Sequence, residues 1–231
     1  MALITLTHDL TNENARDLSV YSNDLKDAEL DQAFSTVNKG FYAFAQIGRG
    51  VGKGATEYRF LALYDLANAI PVGATIVSAY WWLCINASTL ASPDPGYTWE
   101  IATVYRTVKG DRDDWHEGYV CWDNYKQYTP WTAPGGGGDY GLPIVNAAVP
   151  VGVTNVWFTN DVTTIVQSIL ASNLTKVDMI FRRTDGLSDE GIVTVYTKQS
   201  GTPPGPENTV FAPHLRITYT LDSRTFQVMI R

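Results

Sequence analysis

Residues 57–85, EYRFLALYDLANAIPVGATIVSAYWWLCI, constrain this chain more than any other stretch, because two apolar runs of strand length flank a polar, turn-forming middle. On an extended backbone Tyr58, Phe60, Ala62, Tyr64 and Leu66 share one face and Arg59, Leu61, Leu63 and Asp65 the other. Both faces are largely apolar. A helix needs apolar positions spaced by three and four, and Ile70-Pro71 followed by Gly73 breaks one where the pattern pauses. The second run, Ile76–Ile85, is rich in β-branched and aromatic residues and puts Tyr80, Trp81 and Trp82 on alternating sides. Such strands belong between two layers.

The rest of the chain extends this pattern. Phe41–Ile47 reads as a strand that enters Glu57–Leu66 through a glycine-rich turn, and Trp99–Val108, Val177–Arg182, Gly191–Lys198, Leu215–Thr220 and Thr225–Ile230 read as further strands. One amphipathic helix is expected at Asp161–Ala171, where Val162, Ile165, Val166, Ile169 and Leu170 follow helical spacing and Asn160 or Asp161 can cap it. It should lie across a sheet end. Nineteen glycines, eleven prolines and three methionines in 231 residues agree with many short strands and tight turns. The expected architecture is all-β: a two-sheet, jelly-roll-like sandwich of about ten strands with one short helix near 161–171. Residues 1–35 read as a polar arm or edge segment, within which Asp24–Ala33 allows one or two helical turns, and residues 36–231 as one sandwich domain. Residues 123–146 read as a long loop, and loops of that length usually carry a task.

Charge narrows the function. A net charge of −7 with only 17 scattered basic residues argues against a phosphate-backbone partner. No stretch reaches the ~20 apolar residues of a membrane span, and the first residues lack the basic and apolar segments of a secretory leader. Synthesis and retention in the cytosol, followed by incorporation into a virion or cell-surface assembly, is the expectation; a leader removed from a longer precursor gives secretion instead. Cys84 and Cys121 lie in apolar runs and read as two buried free thiols in preference to a disulfide.

The chemical motifs are weak. Gly48–Gly54 is one residue short of a phosphate-binding loop and runs into a strand, so it reads as a turn. His8, His116 and His214 lack metal-ligand spacing, and no nucleophile stands beside a base in sequence. The chain therefore reads as non-catalytic and without an obligatory cofactor. Asp111, Asp113, Asp114 and Glu117 crowd one turn and could ligate calcium through hard oxygens, though a solvated turn explains them as well. Around the long loop, Tyr128, Trp131 and Tyr140 are candidates for stacking on sugar rings, against the plainer role of loop anchors.

Read in order, Arg59–Leu66 (RFLALYDL), Ile70-Pro71, Gly73–Ile76, Ser78-Ala79, Val104–Arg106, Trp115–Glu117, Val120–Trp122, Trp131 before its glycine run, Asp161–Thr163, Val195–Gln199 and Pro213–Leu215 with Tyr219 form a pattern. Over about residues 40–220 this pattern resembles the DNRLRE-domain family, β-sandwich modules related to carbohydrate-binding domains. The resemblance implies a sandwich without its own catalysis, an appendage of large secreted proteins, some of which bind acidic polysaccharides. Two readings of the function follow. The first is a structural or surface-display protein, of the capsid-decoration or fibre type, that docks onto its own copies or a protein partner through its arm or a sheet edge. The alternative is a carbohydrate-binding module of a secreted, polysaccharide-active protein.

Overall fold

The computed structural model describes residues 5–8, 15–20, 25–50, 56–66, 69–88, 99–104, 115, 117–150, 152–172, 174–184, 191–199 and 211–221. Within them the chain forms β1 (Thr5–His8), β2 (Ala15–Val20), β3 (Leu25–Asp31), β4 (Phe44–Arg49), β5 (Glu57–Asp65), β6 (Ala74–Ser88) and β7 (Trp99–Val104). A small hairpin of β8 (Asn124–Lys126) and β9 (Thr129–Pro130) follows, then β10 (Tyr140–Ala147), β11 (Val156–Asp161), helix α1 (Thr163–Ala171), β12 (Lys176–Arg183), β13 (Gly191–Tyr196) and β14 (His214–Leu221). The fold is all-β and sandwich-like, as the alternation in the sequence requires.

Its two layers are not separate sheets. Twelve strands form one curled antiparallel sheet, running β1-β2-β14-β6-β13-β4-β5-β12-β7-β10, with β11 added to β6 and β3 to β5. Strands β13 and β4 carry the hydrogen bonding from one layer to the other: β13 pairs with the end of β6 at Ile85–Ser88, and β4 meets β5 only at Gly48↔Tyr58 and Arg49↔Glu57. Length explains the join. β6 has 15 residues, and its first nine pair with β14 while its last few pair with β13.

Between the layers lies the larger core. Trp81 of β6 stacks on Phe60 of β5 at 5.9 Å, leans on Phe181 of β12 at 6.1 Å, and donates its indole N–H to the Tyr64 hydroxyl at 2.9 Å. That hydroxyl is wholly buried, and burial raises its pKa well above the usual phenol value. Helix α1 covers one end of this core through Ile165, Val166 and Ile169, close to its expected place. The Asp161 carboxylate accepts from the Thr163 N–H at 2.9 Å, and Gln167 Nε2 donates to the Ile76 carbonyl at 3.0 Å, which fixes the helix against β6.

Two expectations need correction. The described residues of the segment expected to allow helical turns, Asp24–Ala33, make none: Leu25–Asp31 is β3, in register with β5 from Leu25↔Tyr64 to Asp31↔Tyr58. Part of the expected long loop is a strand, since β10 pairs with β7 from Tyr140↔Val104 to Ala147↔Trp99 with a bulge between Gly141 and Ile144. The strand expected at Thr225–Ile230 lies outside the described residues. Among the described residues no helix is long and apolar enough to cross a membrane.

Candidate functional site

Three surfaces decide what this sandwich can touch: the outer face of the β3-β5-β12-β7 layer, the outer face of the β14-β6-β11 layer, and the edge beside β3.

The first surface is sealed. Leu61 and Leu63 of β5, Ala28 and Leu30 of β3, Ala102 of β7 and Ile180 of β12 turn outward into a second core completed by Trp115, Val120, Trp122 and Trp131. Polar ties hold this cover down. Trp115 Nε1 donates to Asp178 Oδ1 at 2.8 Å, Trp131 Nε1 to the Cys121 carbonyl at 2.9 Å, and Arg59 Nη1 to the Gly135 carbonyl at 2.6 Å. The Arg59 guanidinium also sits 4.9 Å from the centre of the Trp122 ring. Gly135 has φ +74°, and a Cβ there would stand 2.7 Å from the Trp122 ring, so the glycine run is a tight packing element.

The candidate sugar-stacking residues consequently separate. Tyr128 is 90% exposed at the β8–β9 turn, Trp131 is only 4% exposed with its faces committed to the second core, and Tyr140 lies under the Arg182 guanidinium, 3.8 Å from its ring centre. They make no common platform. Of the candidate calcium ligands, Asp111, Asp113 and Asp114 lie outside the described residues. Glu117 is tied inward: it accepts from Lys198 Nζ at 2.7 Å and Gln199 Nε2 at 3.0 Å. Among the described residues no group of three or more His, Cys, Asp or Glu is arranged to hold a metal ion. Cys84 and Cys121 are both buried and unbonded to one another, and burial raises the Cys84 thiol pKa.

The second surface is open. Antiparallel register puts Tyr80 between Asp161 and Arg216, and Trp82 between Thr159 and His214. Tyr80, Trp82, Thr159 and Arg216, with Ser78 and Thr218, surround a groove of about 370 Å³. Trp82 stacks on His214 with ring centres 5.5 Å apart, and Trp157 meets the same imidazole edge-on at 5.1 Å. Desolvation by these rings, with the nearby Arg216 charge, lowers the His214 pKa to about 4 against an opposing bond to the Ala212 carbonyl, so the ring is neutral at physiological pH. Trp82 Nε1 is buried and has no hydrogen-bond partner among the described residues. Sequence reading placed Trp82 in a core strand; only its register opposite Thr159 and His214 shows which face it occupies.

The third surface is the edge beside β3. Phe34, Phe41, Tyr42 and Phe44 are all exposed there, Phe41 by 64%. Phe41, Tyr42 and Phe44 wall a cavity of about 520 Å³ whose floor is Glu29, Lys39 and Gln46. Behind it Asp27, Glu29 and Asp31, alternate residues of β3, point inward and are buried. Lys39 Nζ bridges Glu29 and Asp31, and the Lys198 backbone N–H donates to Asp27 at 2.8 Å. Searches against protein-family models and against curated proteins find no match to this chain.

Proposed function

We propose that this protein is a non-catalytic structural subunit of the surface-display kind, in the manner of a capsid decoration or fibre protein, that assembles with its own copies through the edge beside β3. The exposed aromatic edge carries this reading. Phe34, Phe41, Tyr42 and Phe44 are exposed on one segment that leads into β4, three of them around a single cavity, and monomeric proteins rarely leave contiguous apolar surface of that kind uncovered. The sealed outer face fits the same role, because a wall of three buried tryptophans serves rigidity and offers no access to a ligand. Sedimentation velocity tests it: the wild-type chain forms a defined oligomer, and Phe41→Ser with Phe44→Ser returns it to monomer while the far-ultraviolet spectrum stays β. A wild-type monomer at every concentration overturns the reading.

A second reading, a carbohydrate-binding module, is favoured by the open groove. Aromatic rings, hydroxyls and an arginine around one groove are what a hydrated sugar chain requires. Retention on an acidic polysaccharide column that disappears in Trp82→Ala supports it; passage of the wild type through the column in the unbound fraction removes it.

A further inference from the structure

We propose that Lys39 and Asp31 condense spontaneously into an intramolecular isopeptide bond, with Glu29 as the proton carrier, so that the mature protein holds a covalent staple beneath its aromatic edge. The inference is independent of the assembly and carbohydrate readings above.

All the parts of an amide-forming centre meet at this point. Glu29 and Lys39 are paired backbone to backbone by an isolated antiparallel bridge, which brings the lysine side chain over the inward face of β3. The nucleophile is Lys39 Nζ, 2.5 Å from Asp31 Oδ2 and 2.7 Å from Glu29 Oε1. The electrophile is the Asp31 carboxyl carbon. Its other oxygen, Oδ1, already accepts the backbone N–H groups of Ala33 at 2.8 Å and Phe34 at 3.4 Å, the donors that stabilise an oxyanion when Cγ becomes tetrahedral. Glu29 is held in place from behind by the Gln46 N–H on Oε2. Solvent is largely kept out: Lys39 is 13% exposed, Asp31 2% and Glu29 3%, and the Phe34 and Tyr42 rings stand 5.6 and 5.7 Å from Nζ. Fixed geometry of this kind replaces the high concentration that amide formation needs in water.

The step balances within these three residues. The resting pair is Lys39 ammonium and Asp31 carboxylate. One ammonium proton passes to Glu29, which frees the Nζ lone pair to attack Asp31 Cγ; the C–N bond forms as negative charge collects on Oδ1. Oδ2 takes a second proton from nitrogen and the stored proton from Glu29, and the Cγ–Oδ2 bond breaks to release water through the cavity. Amide and water replace ammonium and carboxylate, Glu29 ends as it began, and nothing is oxidised or reduced. Burial raises the Glu29 pKa, which suits it to hold the proton. For Lys39, burial pulls the pKa down, but the bonds to Asp31 and Glu29 outweigh it and the net direction is up. The neutral amine is therefore a minor species, and the reaction is slow and completes on ageing.

The purified chain, denatured and weighed intact, is expected to be lighter than its encoded mass by one water. Trypsin should then yield a peptide Asp27–Arg49 lacking that water and uncut after Lys39. Lys39→Arg, Asp31→Ala and Glu29→Gln should each restore the encoded mass. Full mass in the aged wild type, normal cleavage after Lys39, persistence of the deficit in Lys39→Arg, or its location at an Asp-Gly succinimide, each overturns the proposal.

Discussion

Trp131 and Tyr128 stand three residues apart and do opposite things. Trp131 fills the second core and donates to the Cys121 carbonyl, while Tyr128 projects into solvent. Trp131→Ala should therefore cost about 3–5 kcal/mol in urea unfolding, whereas Tyr128→Ala should change stability by no more than about 0.5 kcal/mol. Both residues are aromatic and stand in one short stretch, Gln127–Thr132, that carries no hydrophobic periodicity, so nothing local distinguishes anchor from exposed ring; the difference arises only when the loop folds over β5 and β12. His214 gives a second residue-scale prediction. Its pKa falls from 6.5 in the unfolded chain to about 4 in the folded one, so below about pH 6.5 the unfolded state binds a proton that the folded state refuses. Stability due to His214 is intact above that pH and is lost as pH falls toward 4. Urea midpoints across this interval should decline for wild type and decline less for His214→Phe, which keeps a ring against Trp82.

At the scale of elements, legibility followed periodicity and burial. Helix α1 was readable because Ile165, Val166 and Ile169 carry the 3.6-residue period, and β5 and β6 because both their faces are apolar. β3 was not readable. Its inward positions after Leu25 are Asp27, Glu29 and Asp31, which local hydropathy assigns to solvent; Lys39 folds back over Glu29 and Asp31 from the next segment, and Asp27 is met by the backbone N–H of Lys198 from far along the chain. β10 escaped for another reason: Gly141 and Pro143 interrupt its alternation, and they are tolerated because it is an edge strand with a bulge at that point. The Lys198–Glu117 ion pair packed behind β3 carries its own test. Lys198→Met removes the cation that faces Glu117 and holds the Leu25 carbonyl at 2.9 Å, leaving an acidic residue largely enclosed. A loss on the order of 3 kcal/mol is expected by thermal or urea unfolding, partly recovered in Lys198→Met with Glu117→Gln.

For the whole molecule, the sequence predicted two sheets where hydrogen bonding makes one, because the closure through β13 and β4 depends on pairings between residues about 150 positions apart, such as Val195 with Ala45. The candidate sites shifted for the same reason. Trp82 and His214 become neighbours only across the β6–β14 register, and the aromatic segment 34–44 becomes an edge only once β3 is seated beside β5. Among the apolar surfaces left uncovered after these pairings is the edge with Phe41, Tyr42 and Phe44, the proposed site of assembly. Hydrogen exchange of residues 34–44, followed from dilute to concentrated protein, tests that placement most directly. Exchange in this segment should slow several-fold as concentration rises, while the β8–β9 hairpin exchanges at an unchanged rate; identical exchange of residues 34–44 at all concentrations contradicts it.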